Sequence, residues 1–439
     1  MKRYEAYKDS GVEWIGEIPA NWEVKRLKYL AKINASKPAN LSDESVKSEV
    51  VFLPMEKVGE DGSVDQSILK NIDEVSRGFT YFERGDILIA KITPCFENGK
   101  GAHLKDLNTN VGFGSTEFHT IKSLKFLNPA FAYYQTKSNV FMKVGEGFMS
   151  GSAGQKRLPT SFVEDFPIPL PPLAEQTSIA EFLDRKTSQI DSLVEKKKRL
   201  IELLKEEKAA VINQAVTKGI DPNVKMKDSG VEWLGEVPEH WEVIPMTKYL
   251  ESIIDYRGKT PQKIESGTFL VTARNIKEGK INYSISQEYV DTSLYDEIMR
   301  RGSLEIGDVL MTTEAPLGEV ANVDKVDVAI AQRVIKFRAL KAHLDNYFLK
   351  EWIATYTFQS YLTSLATGST ALGIKASKLN LLKLALPSIQ EQISIVGLVR
   401  ELNTKYSTMI SKIEKEIELL QEYRTALISE VVTGKVRVG

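Results

Sequence analysis

Two stretches of the chain carry a helical hydrophobic pattern much longer than an ordinary globular helix. From Glu175 to about Val216 there is no Gly or Pro, and Leu, Ile, Glu and Lys dominate; Glu391 to about Val432 is alike apart from Gly397. Each follows Pro-rich text, "FPIPLPP" or "LALPS", which marks where the helix starts. In the second stretch the apolar positions are Tyr406, Ile410, Ile413, Ile417, Leu420, Leu427 and Val431, with Arg424 interrupting. The first gives Ile190, Val194, Ile201, Leu204, Val211 and Ala215, with Lys197 and Lys208 interrupting. This 3-4 spacing is that of a coiled coil. Both stripes are narrow and broken, so the simplest partner for each helix is the other one. A helix of this length spans about 60 Å.

The rest of the chain says the same things twice. "KDSGVEWIGEIPANWEV" from Lys8 returns as "KDSGVEWLGEVPEHWEV" from Lys227, identical at 13 of 17 positions and offset by 219 residues. Further on, "RGDILIAKITP" at Arg84 answers "IGDVLMTTEAP" at Ile306, each a Gly-Asp turn followed by a β-rich run. "NPAFAYYQTKSNVFMKV" at Asn128 parallels "DNYFLKEWIATYTFQSYL" at Asp345. Asn128 and Asp345 are N-cap types, and Pro129 suits the first helical position. "GSAGQK" at Gly151 answers "GSTALG" at Gly368, "LPPLAEQTSI" at Leu170 answers "LPSIQEQISI" at Leu386, and the halves close on "AVTKG" and "VVTGK". The chain is a tandem duplication. Its framework is kept, while the strand-and-loop contents between the repeated borders have diverged. Two equivalent halves usually pair by a two-fold operation, which makes the helices antiparallel.

The expected fold class is therefore α+β. Two tandemly repeated globular αβ domains with β-rich cores are separated and closed by two long helices forming an antiparallel coiled coil, with pseudo-two-fold symmetry. The divisions fall at 1–172, 173–219, 220–386 and 387–439. A chain of 439 residues exceeds one hydrophobic core, in keeping with this division.

Composition narrows the chemistry. Hydrophobic content of 42% and charged content of 27% are ordinary for a soluble protein. The first residues have no apolar signal-peptide core, and no apolar run approaches the roughly 20 residues of a membrane helix. A single cysteine, Cys95, excludes an internal disulfide and points to a reducing cytoplasm. The net charge of −1 is not that of a simple nucleic-acid binder, so any such function rests on local basic clusters or on partners. The charge run "EKKKRL" at Glu195 reads as a solvated or docking face. "RGKTP" at Arg257 has the Gly-Lys-Thr of a phosphate-binding loop, but Ile253 stands where its first Gly would be. His103, His119, His240 and His343 have no metal-ligand spacing. No motif of methyl transfer or of nuclease chemistry is complete, so no enzyme signal is found.

The doubled "DSGVEW[IL]GE[IV]P..WEV", the turns leading into "PLPPLAEQ" and "LPSIQEQ", and the two closing helices resemble the specificity subunit of a type I restriction-modification enzyme. "VFLPMEKVGEDG" and "DYRGKTP…TFLVTARNI" also resemble versions of that family's target-recognition domains. The resemblance covers essentially the whole chain. It implies two target-recognition domains (1–172 and 220–386), each reading one part of a split double-stranded DNA site. The spacer helices (173–219 and 387–439) would carry two copies of the modification (methyltransferase) subunit. Restriction (ATP-dependent nuclease and translocase) subunits would complete the complex. No cofactor is expected in this chain; S-adenosylmethionine, ATP and Mg belong on the partners. The rival readings are a non-catalytic coiled-coil scaffold and a fused two-domain DNA-modifying enzyme.

Base reading requires paired donors or acceptors on loops where the halves differ. In the first half these are Lys91, Asn98 and Lys100 in "KITPCFENGKG", and Gln155, Lys156 and Arg157 in "GSAGQKR". In the second they are Tyr256, Arg257, Lys259 and Gln262 in "DYRGKTPQK", Arg274 and Asn275 in "TARN", and Gln332 and Arg333 in "AQR". For each residue, a solvated side chain or a phosphate contact stands beside base contact as an alternative. Trp14, Trp22, Trp233 and Trp241 recur at equal spacing and read as packing of the shared framework.

Overall fold

The computed structural model describes residues 2–38, 49–152, 154–256, 261–331, 333–368 and 372–438. The chain divides into two compact units, Met1–Lys198 with Ile413–Gly439, and Arg199–Lys412. The long helices, Leu173–Lys218 and Ile389–Val432, each contribute residues to both units. The reason is burial. Ile179, Leu183, Ile190 and Val194 join one core with Leu427 and Val431, and Val216 joins another with Ile395 and Val399.

Within each unit the helix segments run antiparallel. In the first, Lys197 pairs with Glu416 and Asp191 with Arg424, so the numbering rises on one helix as it falls on the other. In the second, Glu207 lies beside Tyr406 and Gly219 beside Glu391. The 3-4 stripe faces inward: Ile190, Val194, Ile201, Leu204, Tyr406 and Leu427 are buried, while Val211, Ile410, Ile413, Ile417 and Leu420 are partly buried.

The first unit holds an antiparallel sheet ordered Ala31–Ile33, Phe118–Ser123, Ile87–Ala90, Gly101–His103. A second sheet is ordered Leu69–Asn71, Glu49–Leu53, Val111–Gly114, Thr80–Glu83, and its middle pair is parallel. The other unit repeats the first sheet as Leu250–Asp255, Val334–Ala339, Val309–Thr313, Leu317–Asn322. It repeats part of the second as Tyr289–Val290, Thr268–Val271, Ala329–Ile330, again with one parallel pair. In both, a ribbon joins the opening repeat to the strand before the long helix: Glu23–Arg26 with Pro167–Leu170, and Glu242–Pro245 with Lys383–Leu386.

The repeated motifs have repeated structural duties. Asn128 accepts hydrogen bonds from the Ala130 and Phe131 N–H groups, and Asp345 accepts one from Phe348, so both act as N-caps. The glutamine of "AEQ" and "QEQ" is a clamp. Gln176 accepts from the Asn128 N–H (2.8 Å) and donates to the Phe126 and Pro171 carbonyls. Gln392 accepts from the Asp345 N–H (2.8 Å) and donates to the His343 and Pro387 carbonyls. Both amides are buried, so each fixes the start of a long helix to the N-cap of a second helix with no polar group left over. Trp22 and Trp241 are fully buried, as a shared framework requires. Trp233 stacks on Tyr361 with ring centroids 4.6 Å apart. Trp14 departs from the packing expectation at 44% exposed, because Val144 holds the helix position equivalent to Tyr361 and offers no ring to stack on.

Candidate nucleic-acid interface

In the first unit the chain brings two divergent loops together. The Leu158 N–H donates to the Lys91 carbonyl (2.7 Å), the Thr93 N–H donates to the Lys156 carbonyl (3.0 Å), and Ser150 and Arg157 exchange both backbone bonds. Lys91, Asn98 and Lys100 thereby adjoin Gln155, Lys156 and Arg157. Gln155 and Lys156 are exposed and Lys91 is half-buried. Asn98 donates to the Glu60 carboxylate (3.0 Å) and Lys100 to the Met55 carbonyl (3.2 Å). Arg157 clasps Glu117 through two nitrogens (2.9 and 2.8 Å), and this bond holds the Glu117 carboxyl below the usual carboxylate range. Behind the loop, Lys137 donates to the Glu60 and Gly99 carbonyls; burial pushes its ammonium down to about 7. No motif in the sequence marks Lys137, whose role depends on where two loops meet.

The second unit has the same loop geometry with other contents. Glu314 and Gly373 pair as Ile92 and Arg157 do, and Thr367 and Gly373 pair as Ser150 and Arg157 do. The ion pair at this corner has changed strands. Glu117 and Arg333 each immediately precede an equivalent strand; Glu117 takes Arg157, whereas Arg333 takes Glu314 (2.9 Å). Arg274 and Arg333 meet across a cleft of about 210 Å³, which Lys263 and Glu288 also line. Lys263 pairs with Glu288 (2.8 Å). It was legible only as the neighbour of Gln262, which is exposed.

Two expected readers are elsewhere. Tyr256 is 7% exposed in an apolar cluster, and its hydroxyl donates to the Gly302 carbonyl (2.9 Å). Asn275 is fully buried. Its side chain accepts from Thr272 and donates to the Asn282 carbonyl, closing a capping box around a 3-10 turn. Both polar groups are used within the fold. Thr272 three residues ahead was the available signal, since a capping box pairs such positions. Arg257, Lys259 and Gln332 lie outside the described residues.

A larger hollow of about 450 Å³ in the first unit, lined by Arg84, Lys122, Lys125, Asn128 and Leu173 among others, shares no residue with these loops. Among the described residues no three His, Cys, Asp or Glu side chains gather as a metal site, and no helix is long and apolar enough to cross a membrane.

The comparisons agree with this doubled arrangement. A family model described as the type I restriction modification DNA specificity domain matches residues 19–203 and again 238–419. The chain is 28% identical to the type I restriction enzyme EcoAI specificity subunit of Escherichia coli, over 86% of this chain and 77% of that protein. It is 24% identical to the MjaVIII specificity subunit of Methanocaldococcus jannaschii, over 96% and 94%. Among solved structures, a chain from a study of type I R-M system assembly and conformational transition superposes with a TM-score of 0.66 at 16% identity, covering 95% of this chain and 99% of that one. The HsdS subunit from Thermoanaerobacter tengcongensis superposes at 0.54 and 16%, covering 95% and 98%. At these identities the structural likeness concerns the fold.

Proposed function

The chain belongs to the type I restriction-modification DNA specificity family, and from that premise we propose that each unit reads one part of a bipartite double-stranded DNA site. The observation that carries this is the doubling. The family domain occurs twice, once for each sheet-bearing unit, and the two loop clusters share a framework while their exposed side chains differ. Different contents on a common frame suit two reading heads for two sequences.

The reading assigns no catalysis to this chain. Methyl transfer and ATP-driven cleavage fall to partner subunits that bring S-adenosylmethionine, ATP and magnesium. The modification subunit, in two copies, docks on the paired long helices, and restriction subunits join them. Those partners also supply much of the cationic surface that a chain of net charge −1 lacks. The cytoplasm, where the DNA is, suits a chain with one cysteine.

The test is a domain exchange. Replacing residues 25–165 by the corresponding segment of another specificity subunit, in complex with the modification subunit, should change one half of the methylated sequence and leave the other half intact. A change in both halves, or methyl transfer by the isolated chain, would defeat the proposal.

A further inference from the structure

Each unit carries the same small device beside its candidate loops. In the first, Glu49–Leu53 lies parallel to Val111–Gly114, and the Ser115 N–H donates to the Leu53 carbonyl (3.0 Å). In the second, Thr268–Val271 lies parallel to Ala329–Ile330, and the Ala331 N–H donates to the Val271 carbonyl (2.8 Å). One residue past each strand the chain makes a single 3-10 turn, Met55–Lys57 or Ala273–Asn275. Position for position, Glu56 stands where the other unit has Arg274.

The turns are held by their third residues. Lys57 pairs with Asp65, and Asn275 closes the capping box on Thr272. The middle residues are left over. Glu56 and Arg274 are exposed, and neither has a hydrogen bond or ion pair among the described residues. At the cleft this distinguishes Arg274 from its two cationic neighbours, since Lys263 has Glu288 and Arg333 has Glu314. In the first unit the turn adjoins Lys100, whose ammonium donates to the Met55 carbonyl.

We infer that the middle position of this turn sets one base of each half-site, Arg274 reading a guanine and Glu56 a cytosine. The inference rests on the reading of the two units as DNA-recognition heads. A free guanidinium matches the two acceptors, O6 and N7, on the major-groove edge of guanine. A free carboxylate accepts from the N4 amino group of cytosine. The carboxylate is the more telling of the two. Phosphates repel it, so on a DNA-facing turn base reading is the favourable contact open to it. Because both backbones are fixed by other residues, ordering either side chain on a base costs little beyond its own rotamer freedom.

The test uses the complex of this chain with its modification subunit and a library of duplexes randomised across the recognised site. Bound sequences are counted for the wild type, Arg274→Ala and Glu56→Gln. Arg274→Ala should relax preference about 5- to 150-fold at one position of one half-site. Glu56→Gln should relax one position of the other half-site. Neither should touch its counterpart's half. Binding weakened evenly at every sequence, with the salt slope reduced by about one, would make Arg274 a phosphate contact and overturn the inference. So would an unchanged set of selected sequences in both variants. If the wild-type complex itself selects no two-part site, the underlying reading fails; if it does and the variants match it, only this inference fails.

Discussion

Asp86 and Asp308 occupy the same turn in the two units and live in opposite electrostatic surroundings. Each follows a glycine at φ 92, a conformation that suits Gly and strains other residues. Each accepts the N–H of the residue three positions before it, Glu83 or Glu305, at 2.8 Å. Beyond that they part. Asp308 is fully buried and clasped by Arg338 through two nitrogens (2.8 and 2.7 Å), with the Lys336 ammonium 3.4 Å away. Burial alone would raise its pKa, but hydrogen bonds from Arg338 and the Glu305 N–H, with the charges of Lys336 and Arg338, outweigh it and hold the carboxyl low. At Asp86 the position of Lys336 is Thr120, and Lys122, in the place of Arg338, bonds to Glu83 instead. Burial then dominates, and the carboxyl is pushed up to about 6. The aspartate that recurs in the sequence is thus required for its backbone bond. Its ionic partners belong to the divergent strand contents.

The sharpest way to break this comparison is to remove the partner cation. Arg338→Met strands a buried carboxylate with one cation of its former two, and should cost about 3–5 kcal/mol. Faster hydrogen exchange at the Glu305 amide and a lower urea midpoint would report it. Next comes pH. A carboxyl with a folded pKa near 6 against an ordinary 3.8 holds its proton better folded than unfolded, so stability falls as pH rises between those values. The loss is up to about 3 kcal/mol. Asp308 has the opposite sign: its contribution is complete above its ordinary pKa and fades only in stronger acid. Protection of the Glu83 amide should therefore drop from pH 4 to 6 while that of Glu305 holds steady, and Asp86→Asn should flatten the first trend.

A third prediction concerns what the units share. Gln176→Ala and Gln392→Ala each strand an N-cap N–H and two carbonyls, and should cost about 2 kcal/mol each, the two values agreeing closely. A large inequality in urea unfolding would mean that the clamp is not common framework. The smallest effect belongs to Lys122→Met, whose half-exposed pair with Glu83 should be worth less than about 1 kcal/mol. A loss as large as that of Arg338→Met would erase the distinction between the turns.

What was legible in the sequence is what the two halves hold in common. The long helices, their inward stripe, the N-caps at Asn128 and Asp345 and the buried Trp22 and Trp241 could all be read from repeated letters with a known physical preference. What was not legible depends on contacts made by the divergent strands. "VIKFRA" alternates as a strand with one wet face would, yet Lys336 and Arg338 are buried, because Asp308 lies on that face. Asn275 carries the amide suited to reading adenine, and the fold uses it to close a turn. Glu56 is an acid in "PMEKVG", a stretch with no pattern that marks a base reader. Only the strand register shows that it holds the position equivalent to Arg274.

The first unit is built from both ends of the chain. Lys2 bridges to Arg437, the Tyr7 hydroxyl donates to the Lys435 carbonyl, and Leu427, Ile428, Val431 and Val432 pack in the same core as Trp22. The second unit is one uninterrupted stretch, Arg199–Lys412. One unit is therefore continuous in the chain and the other is not. A cut before Ile413 would keep every part of the second unit and take from the first the helix turns that share a core with Ile18 and Trp22.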